Sequence, residues 1–176
     1  MPRHLYNFAL MQIIIETPRL LIREFLPEEQ YLYLWLHQDE EVTRYINKRS
    51  DAETKSRFEA GIAEYGDGTG LGSWGIFDSF TNGFIGVCGL KPSAFSPACI
   101  ELGYLLNQKY WGKGIASEMV KNIIPYAFTR SNATEITAVT KLLNIASQRV
   151  LEKNGFIRTG SMVKDGEDLA FFRLTK

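Results

Sequence analysis

Between residues 99 and 128 the chain runs from a strand, through a glycine-bearing loop, straight into a helix. Cys99-Ile100-Glu101-Leu102-Gly103-Tyr104-Leu105-Leu106 has strand character. Gln108-Lys109-Tyr110-Trp111-Gly112-Lys113-Gly114 forms the loop, and Ile115, Met119, Val120, Ile123, Ala127 and Phe128 recur at helical spacing. Two glycines one residue apart let neighbouring main-chain N–H groups turn toward one point, because neither has a Cβ in the way. The first turn of the helix adds N–H groups with no intrahelical partner and the positive end of the macrodipole. Together these make a seat for a phosphate or pyrophosphate. The two familiar nucleotide motifs are absent: there is no G-x-x-x-x-G-K-[ST], and no three-glycine dinucleotide pattern followed by an acidic residue. A plain tight connection is the other reading of the same glycines.

The 176 residues suit one domain able to bury about 70% of its unfolded surface. Twenty basic residues offset twenty acidic ones, which argues against bulk electrostatic binding of nucleic acid. Cys88 and Cys99 fall in expected strands at no metal-ligand spacing, so we expect reduced buried thiols, no metal site and a cytoplasmic protein. His4 and His37 read as surface or packing residues. Residues 1–11 read as a short N-terminal extension, with Met11 an alternative start; the apolar stretch there is broken by Asn7 and Gln12 and is too short to span a bilayer.

In chain order, residues 13–25 read as a first strand, with Pro18 marking an edge or strand start. Pro27 opens a helix with Tyr31, Leu34 and Trp35 on its apolar stripe. Asp39 caps a short second helix through Ile46, and Ser50-Asp51-Ala52-Glu53 is a capping box that starts a third. The four glycines of residues 66–72 read as a mobile connection. Ser73–Phe77 and Phe84–Leu90 form a hairpin around Asn82-Gly83, and Thr134–Thr140 is a β-branched strand. Asn144 caps a helix ending at Asn154, with Gly155 as the left-handed stop. Phe156–Val163 and Asp168–Leu174 pair around Asp165-Gly166. Pro125 lies inside the helix after the glycine loop and should kink it. The expected class is mixed α+β (α/β): one mostly antiparallel sheet with two late helical crossovers.

The series Ile100-Glu101-Leu102-Gly103-Tyr104-Leu105-Leu106, Tyr110-Trp111-Gly112-Lys113-Gly114-Ile115-Ala116-Ser117-Glu118, Asn144-Ile145-Ala146-Ser147 and Lys153-Asn154-Gly155-Phe156 resembles the GNAT superfamily of acyl-CoA-dependent N-acetyltransferases. The opening Glu16-Thr17-Pro18-Arg19-Leu20-Leu21-Ile22-Arg23 resembles its RimJ/RimL-type branch, and the likeness covers residues 13–175. It implies a single twisted sheet that splays open after its fourth strand, with helices on both faces. Main-chain amides of Gly112, Lys113, Gly114, Ile115, Ala116 and Ser117 would hold the pyrophosphate of acetyl-CoA, with Leu105 and Leu106 pairing with the pantetheine arm. Lys109 stands where the family usually has Gln or Arg; it offers charge to phosphate without a planar fork.

The resemblance puts Glu101 at the position of the general base. The residue pattern alone also allows an ordinary glutamate on a solvated or ion-paired sheet face. A carboxylate among apolar neighbours would have a raised pKa, which suits taking a proton from an ammonium. Asn144 would touch the pantetheine arm or an ordered water, besides its plain role as an N-cap. Ser147 would protonate or hydrogen-bond the departing thiolate. Many relatives carry a tyrosine acid seven residues after the asparagine; here that residue is Leu151. The implied partners are acetyl-CoA and a primary amine, on a peptide N-terminus or a small molecule, with no membrane and with a homodimer left open. The acceptor pocket would be built by residues 28–65 and the loops near 66–72 and 91–97. A non-catalytic acyl-CoA-binding module is the alternative reading.

Overall fold

The computed structural model describes residues 11–176, so the expected extension and the question of the start lie almost wholly outside the described residues. Its elements are β1 (Ile13–Glu16), β2 (Leu20–Arg23), a 3-10 turn (Pro27–Glu29), α1 (Gln30–Gln38), α2 (Glu40–Thr43), α3 (Asp51–Ala63), β3 (Gly72–Asp78), β4 (Phe84–Pro92), β5 (Cys99–Leu106), α4 (Ile115–Arg130), β6 (Glu135–Lys141), α5 (Ile145–Lys153), β7 (Ile157–Lys164) and β8 (Glu167–Thr175). One eight-stranded sheet has the order β1-β2-β3-β4-β5-β6-β8-β7, and only the β5–β6 contact is parallel.

Residues 13–25 are two strands, not one. Pro18 cannot donate to a ladder, and the Thr17 hydroxyl accepts from the amides of Arg19 (3.2 Å) and Leu20 (2.9 Å), closing a tight turn. α2 is shorter than its cap promised, ending at Thr43 with a single turn to Ile46. The stripe expected on the first helix is not its buried face: Tyr31 and Trp35 are exposed, and Leu36, with Leu32 and Tyr33, packs inward, while Pro27 opens the 3-10 turn ahead of α1. Several caps and turns do act as written. Ser50 and Glu53 cap each other's backbone, Asn144 accepts from the Ser147 amide, and Asp165 and Gly166 take φ of 53° and 78° in the last hairpin. α4 runs unbroken from Ile115 to Arg130 with Pro125 inside it.

Two apolar clusters hold helices to the two faces of the sheet. On one face Ile100, Leu102 and Ile136 meet Ile115, Met119, Val120 and Ile123 of α4 and Leu151 of α5. On the other, Val87 and Phe77 meet Leu36 of α1 and Phe58 of α3, with Phe25 between them. Each such fully buried side chain contributes about 1.5–3 kcal/mol of transfer free energy. Buried Arg23 is stitched into this second layer by a two-pronged bond to Glu29 and by lying 3.7 Å from the Phe77 ring centroid.

The sheet opens between β5 and β6. Their ladder holds only Cys99–Glu101 against Glu135–Thr137. Beyond that point β5 stays on β4 up to Leu106, while β6 stays on β8 up to Lys141. The split follows the fifth strand because the first segment became two. Among the described residues no helix is long and apolar enough to cross a membrane.

Candidate active site

At the open end of the split, β5 delivers the chain into the glycine loop. Gly112 and Gly114 adopt φ of 70° and 76°, a region that costs an L side chain roughly 1–2 kcal/mol. Gly114 is the N-cap of α4, and the first helical bond is donated by Glu118 to the Gly114 carbonyl. The amides of Gly112, Lys113, Gly114, Ile115, Ala116 and Ser117 follow one another through this turn and the first turn of α4. A Cβ on Gly112 would meet nothing within 4 Å. These amides lie at the positive end of a 16-residue helix, where the geometry suits an anion.

Three long-range contacts fix this loop. Arg19, from the β1–β2 turn, donates through Nε to Glu118 (2.7 Å) and through Nη1 to the Lys113 carbonyl (3.1 Å). The Thr17 hydroxyl donates to the other Glu118 oxygen (2.7 Å). Burial pushes the Glu118 carboxyl up, but the Thr17 and Arg19 hydrogen bonds and the Arg19 charge hold it below its ordinary value. Asn154, the C-cap of α5, donates to the Ser117 hydroxyl (3.2 Å). Trp111 remains half-exposed, its indole N–H bonded to the Leu106 carbonyl (2.8 Å). Lys109 lies along the Tyr110 ring, and Ile115 is driven into the core, where it anchors the helix start.

Glu101 sits where the β5–β6 ladder ends, on the sheet face that carries α1 and α3. Its surroundings are not the apolar ones anticipated: Lys91, its cross-strand partner on β4, reaches its carboxylate at 2.9 Å. Nearby, the Thr137 hydroxyl bonds the Ile100 carbonyl (3.2 Å) and the Ser93 hydroxyl (3.3 Å). On the opposite face Tyr104 OH lies 3.1 Å from the Ser147 Oγ, across the gap between β5 and α5. Asn144 Oδ1 accepts the Ser147 amide (3.2 Å). The structure therefore gathers Leu105, Leu106, residues 112–117, Asn144 and Ser147 around the mouth of the split, with Glu101 at its base.

Residues 39–47, α2 with its N-cap and the turn that follows it, bridge the two arms of the split. Gln108 donates to both oxygens of Asp39 (2.9 and 3.0 Å), and Asn47 donates to Asp165 of the β7–β8 turn (3.1 Å). A cavity of about 260 Å³ lies behind it, lined by residues that include His37, Thr43, Asn47, Arg49 and Asp51. Burial first, then the charges of Arg49 and Arg57, lower the His37 pKa against the opposing bond to the Tyr33 carbonyl. The loop after β4 crosses toward β8, where Phe95 packs 4.7 Å from Phe171. The glycine-rich loop 66–72 instead lies against the last turn of α4, lining a separate cavity with Tyr65, Trp74 and Tyr126.

A split parallel pair, a glycine turn leading into a helix N-terminus at its mouth and a carboxylate at its base make up the site. The chain belongs to the GNAT acetyltransferase family, whose acetyltransferase (GNAT) domain matches residues 19–157, and it is an N-acetyltransferase. It is 31% identical over 150 residues to the uncharacterised N-acetyltransferase YoaA of Bacillus subtilis (strain 168), covering 84% of each chain. Among solved structures it is similar to a GNAT-family acetyltransferase from Bacillus anthracis, with a TM-score of 0.77 and 24% identity over 92% of this chain and 97% of that one. It also shares its fold with the ribosomal L7/L12 α-N-protein acetyltransferase RimL in complex with coenzyme A, with a TM-score of 0.78 and 20% identity over 93% and 98% of the two chains.

Proposed function

We propose that this acetyltransferase moves an acetyl group from acetyl-CoA directly to a primary amine, either the α-amine of a peptide or the amine of a small molecule. The observation that carries this reading is the row of amides from Gly112 to Ser117 at the start of α4, beside the opening of β5 from β6. Those amides hold the pyrophosphate, Lys109 and Lys113 add positive charge, and the edge of β5 that β6 leaves at Leu105 and Leu106 pairs with the amide-bearing arm as with an added strand.

Glu101, directly or through a water, takes the proton from the acceptor ammonium, and the amine attacks the acetyl carbonyl. A main-chain N–H of β5 meets the oxyanion. As the carbon–sulfur bond breaks, Ser147 hydrogen-bonds the departing thiolate, while Asn144 holds the first turn of α5 in place. No covalent enzyme intermediate is formed.

Acetyl-CoA-dependent thiol release over a panel of amines and peptides tests the reading, with Glu101→Gln alongside. Turnover that falls steeply in the variant supports it. Two observations favour a second reading, a non-catalytic acyl-CoA-binding module: the Lys91 ammonium already occupies Glu101, and Leu151 stands at the family's tyrosine position. Tight acetyl-CoA binding with no thiol release from any member of the panel would favour it.

A further inference from the structure

The residue that hydrogen-bonds the thiolate in the reading above is not alone. Tyr104 and Ser147 are 43 positions apart and stand on opposite sides of the split, yet their hydroxyls are 3.1 Å apart. Tyr104 belongs to the apolar layer beneath α4 and α5, and its hydroxyl reaches out of that layer to Ser147. Leu151, where relatives carry a tyrosine, is 1% exposed and takes its place in that same apolar layer. The hydroxyl missing from α5 is thus replaced by one arriving from β5.

We infer that Tyr104 is a positioning residue for the acyl transfer, donating its phenolic proton to Ser147 Oγ so that the serine's own O–H is aimed at the thiolate leaving group. This rests on the reading of the site given above. Each hydroxyl carries one proton, so if the phenol donates to the serine oxygen, the serine proton is free to point elsewhere. Burial raises the phenol pKa, the bond to Ser147 opposes that, and no charged group acts on it. Tyr104 therefore stays protonated at neutral pH. When the carbon–sulfur bond breaks, the electron pair stays on sulfur and the serine proton passes to it. The phenolic proton moves to Ser147 Oγ, and the phenolate regains a proton from water. The acceptor ammonium loses two protons through Glu101 to solvent, one before attack and one after; the first neutralises the hydroxide left when water reprotonates the phenolate and the second is the net proton released, so the transfer balances.

The test needs no acceptor. Coenzyme A labelled with carbon-13 on the carbon bonded to sulfur is bound to the wild-type protein, Tyr104→Phe, Ser147→Ala, Ser147→Thr and the double variant, and its chemical shift is followed with pH. Donation to the thiolate makes the bound thiol more acidic. We expect about a tenfold loss of that acidity in Tyr104→Phe. Ser147→Ala should show a loss at least as large, the double variant no more than Ser147→Ala alone, and Ser147→Thr most of the wild-type value. Wild-type acidity in Tyr104→Phe, or losses that add in the double variant, would overturn the inference while leaving the coenzyme A site standing. Wild-type acidity in Ser147→Ala, whose side chain is outside the apolar core, would overturn it whatever happens to folding at Tyr104. Failure of the wild-type protein to bind coenzyme A would sink the site reading, and the inference with it.

Discussion

Arg19 and Glu118, 99 positions apart in the chain, form a two-toothed ion pair that also takes in the carbonyl of Lys113, so the β1–β2 turn holds the glycine loop from outside. The Glu16-Thr17-Pro18-Arg19 stretch thereby acquires a job: Pro18 and the Thr17 hydroxyl shape the turn, and the turn presents Arg19 and Thr17 to the first turn of α4. The clamp's own charges, Arg19 and Glu118, cancel. What it contributes is order at the end of the glycine loop and the first turn of α4.

Arg19→Ala should therefore weaken acetyl-CoA binding more than it slows chemistry. We expect the KM for acetyl-CoA to rise about tenfold, corresponding to roughly 1.4 kcal/mol, with kcat changed little. Steady-state kinetics at saturating acceptor separate the two. A fall in kcat with KM unchanged would show that the clamp serves the reacting end instead.

The same clamp has a pH signature. The folded-state pKa of Glu118 lies below its ordinary value, so the unfolded chain binds more protons in the window between the two. The stability it adds is fully present above about pH 4.3 and is lost as pH falls through the lower folded value. Arg19 is half-exposed, so the contribution is about 1 kcal/mol or less. Unfolding free energies of wild type and Glu118→Gln should differ by a constant amount at pH 6–8 and converge under acid. A gap that widens on acidification would contradict the assignment.

Local chemistry was legible from sequence and distant chemistry was not. The Ser50–Glu53 box, the Asn144 cap, the Asp165-Gly166 turn and the two glycines before α4 each need only neighbouring residues to act, and each acts as read. Breaking residues 13–25 into two strands depended on how Thr17 satisfies two amides at once, which a pattern of alternating apolar residues does not reveal. The Lys91–Glu101 pair depends on the β4–β5 register, the Tyr104–Ser147 pair on how far β5 parts from β6, and the Gln108–Asp39 link on where α2 docks. All three are set by packing of the whole sheet. The hydroxyl pair of Tyr104 and Ser147 became visible only in space.

The pairing of Glu101 with Lys91 yields a double prediction. A general base contributes about 10²–10⁴-fold to rate, so Glu101→Gln should lower kcat by that order with acetyl-CoA binding preserved. Lys91→Met removes the cation that competes for the carboxylate's lone pairs. If Glu101 is the base, Lys91→Met should change kcat while leaving the KM for acetyl-CoA near wild type. Unchanged kcat in Lys91→Met, together with full activity in Glu101→Gln, would reduce the pair to a sheet-face ion pair.

Leu151 offers a last check on where the acid resides. Its side chain is buried against α4 and β6, and Phe156, which follows α5, donates its amide to the Leu151 carbonyl. Restoring the family's residue as Leu151→Tyr forces a larger ring and a hydroxyl into that packed layer. Overpacking of this kind costs about 1–3 kcal/mol, and a buried hydroxyl without a partner adds to it. We expect Leu151→Tyr to lower the unfolding midpoint by several degrees and, on the proposal that the acid function runs through Ser147, to leave kcat at or below wild type. A gain in kcat, or recovery of activity when Leu151→Tyr is added to Ser147→Ala, would show that α5 still reaches the thiolate from this position and that the β5 hydroxyl is not needed.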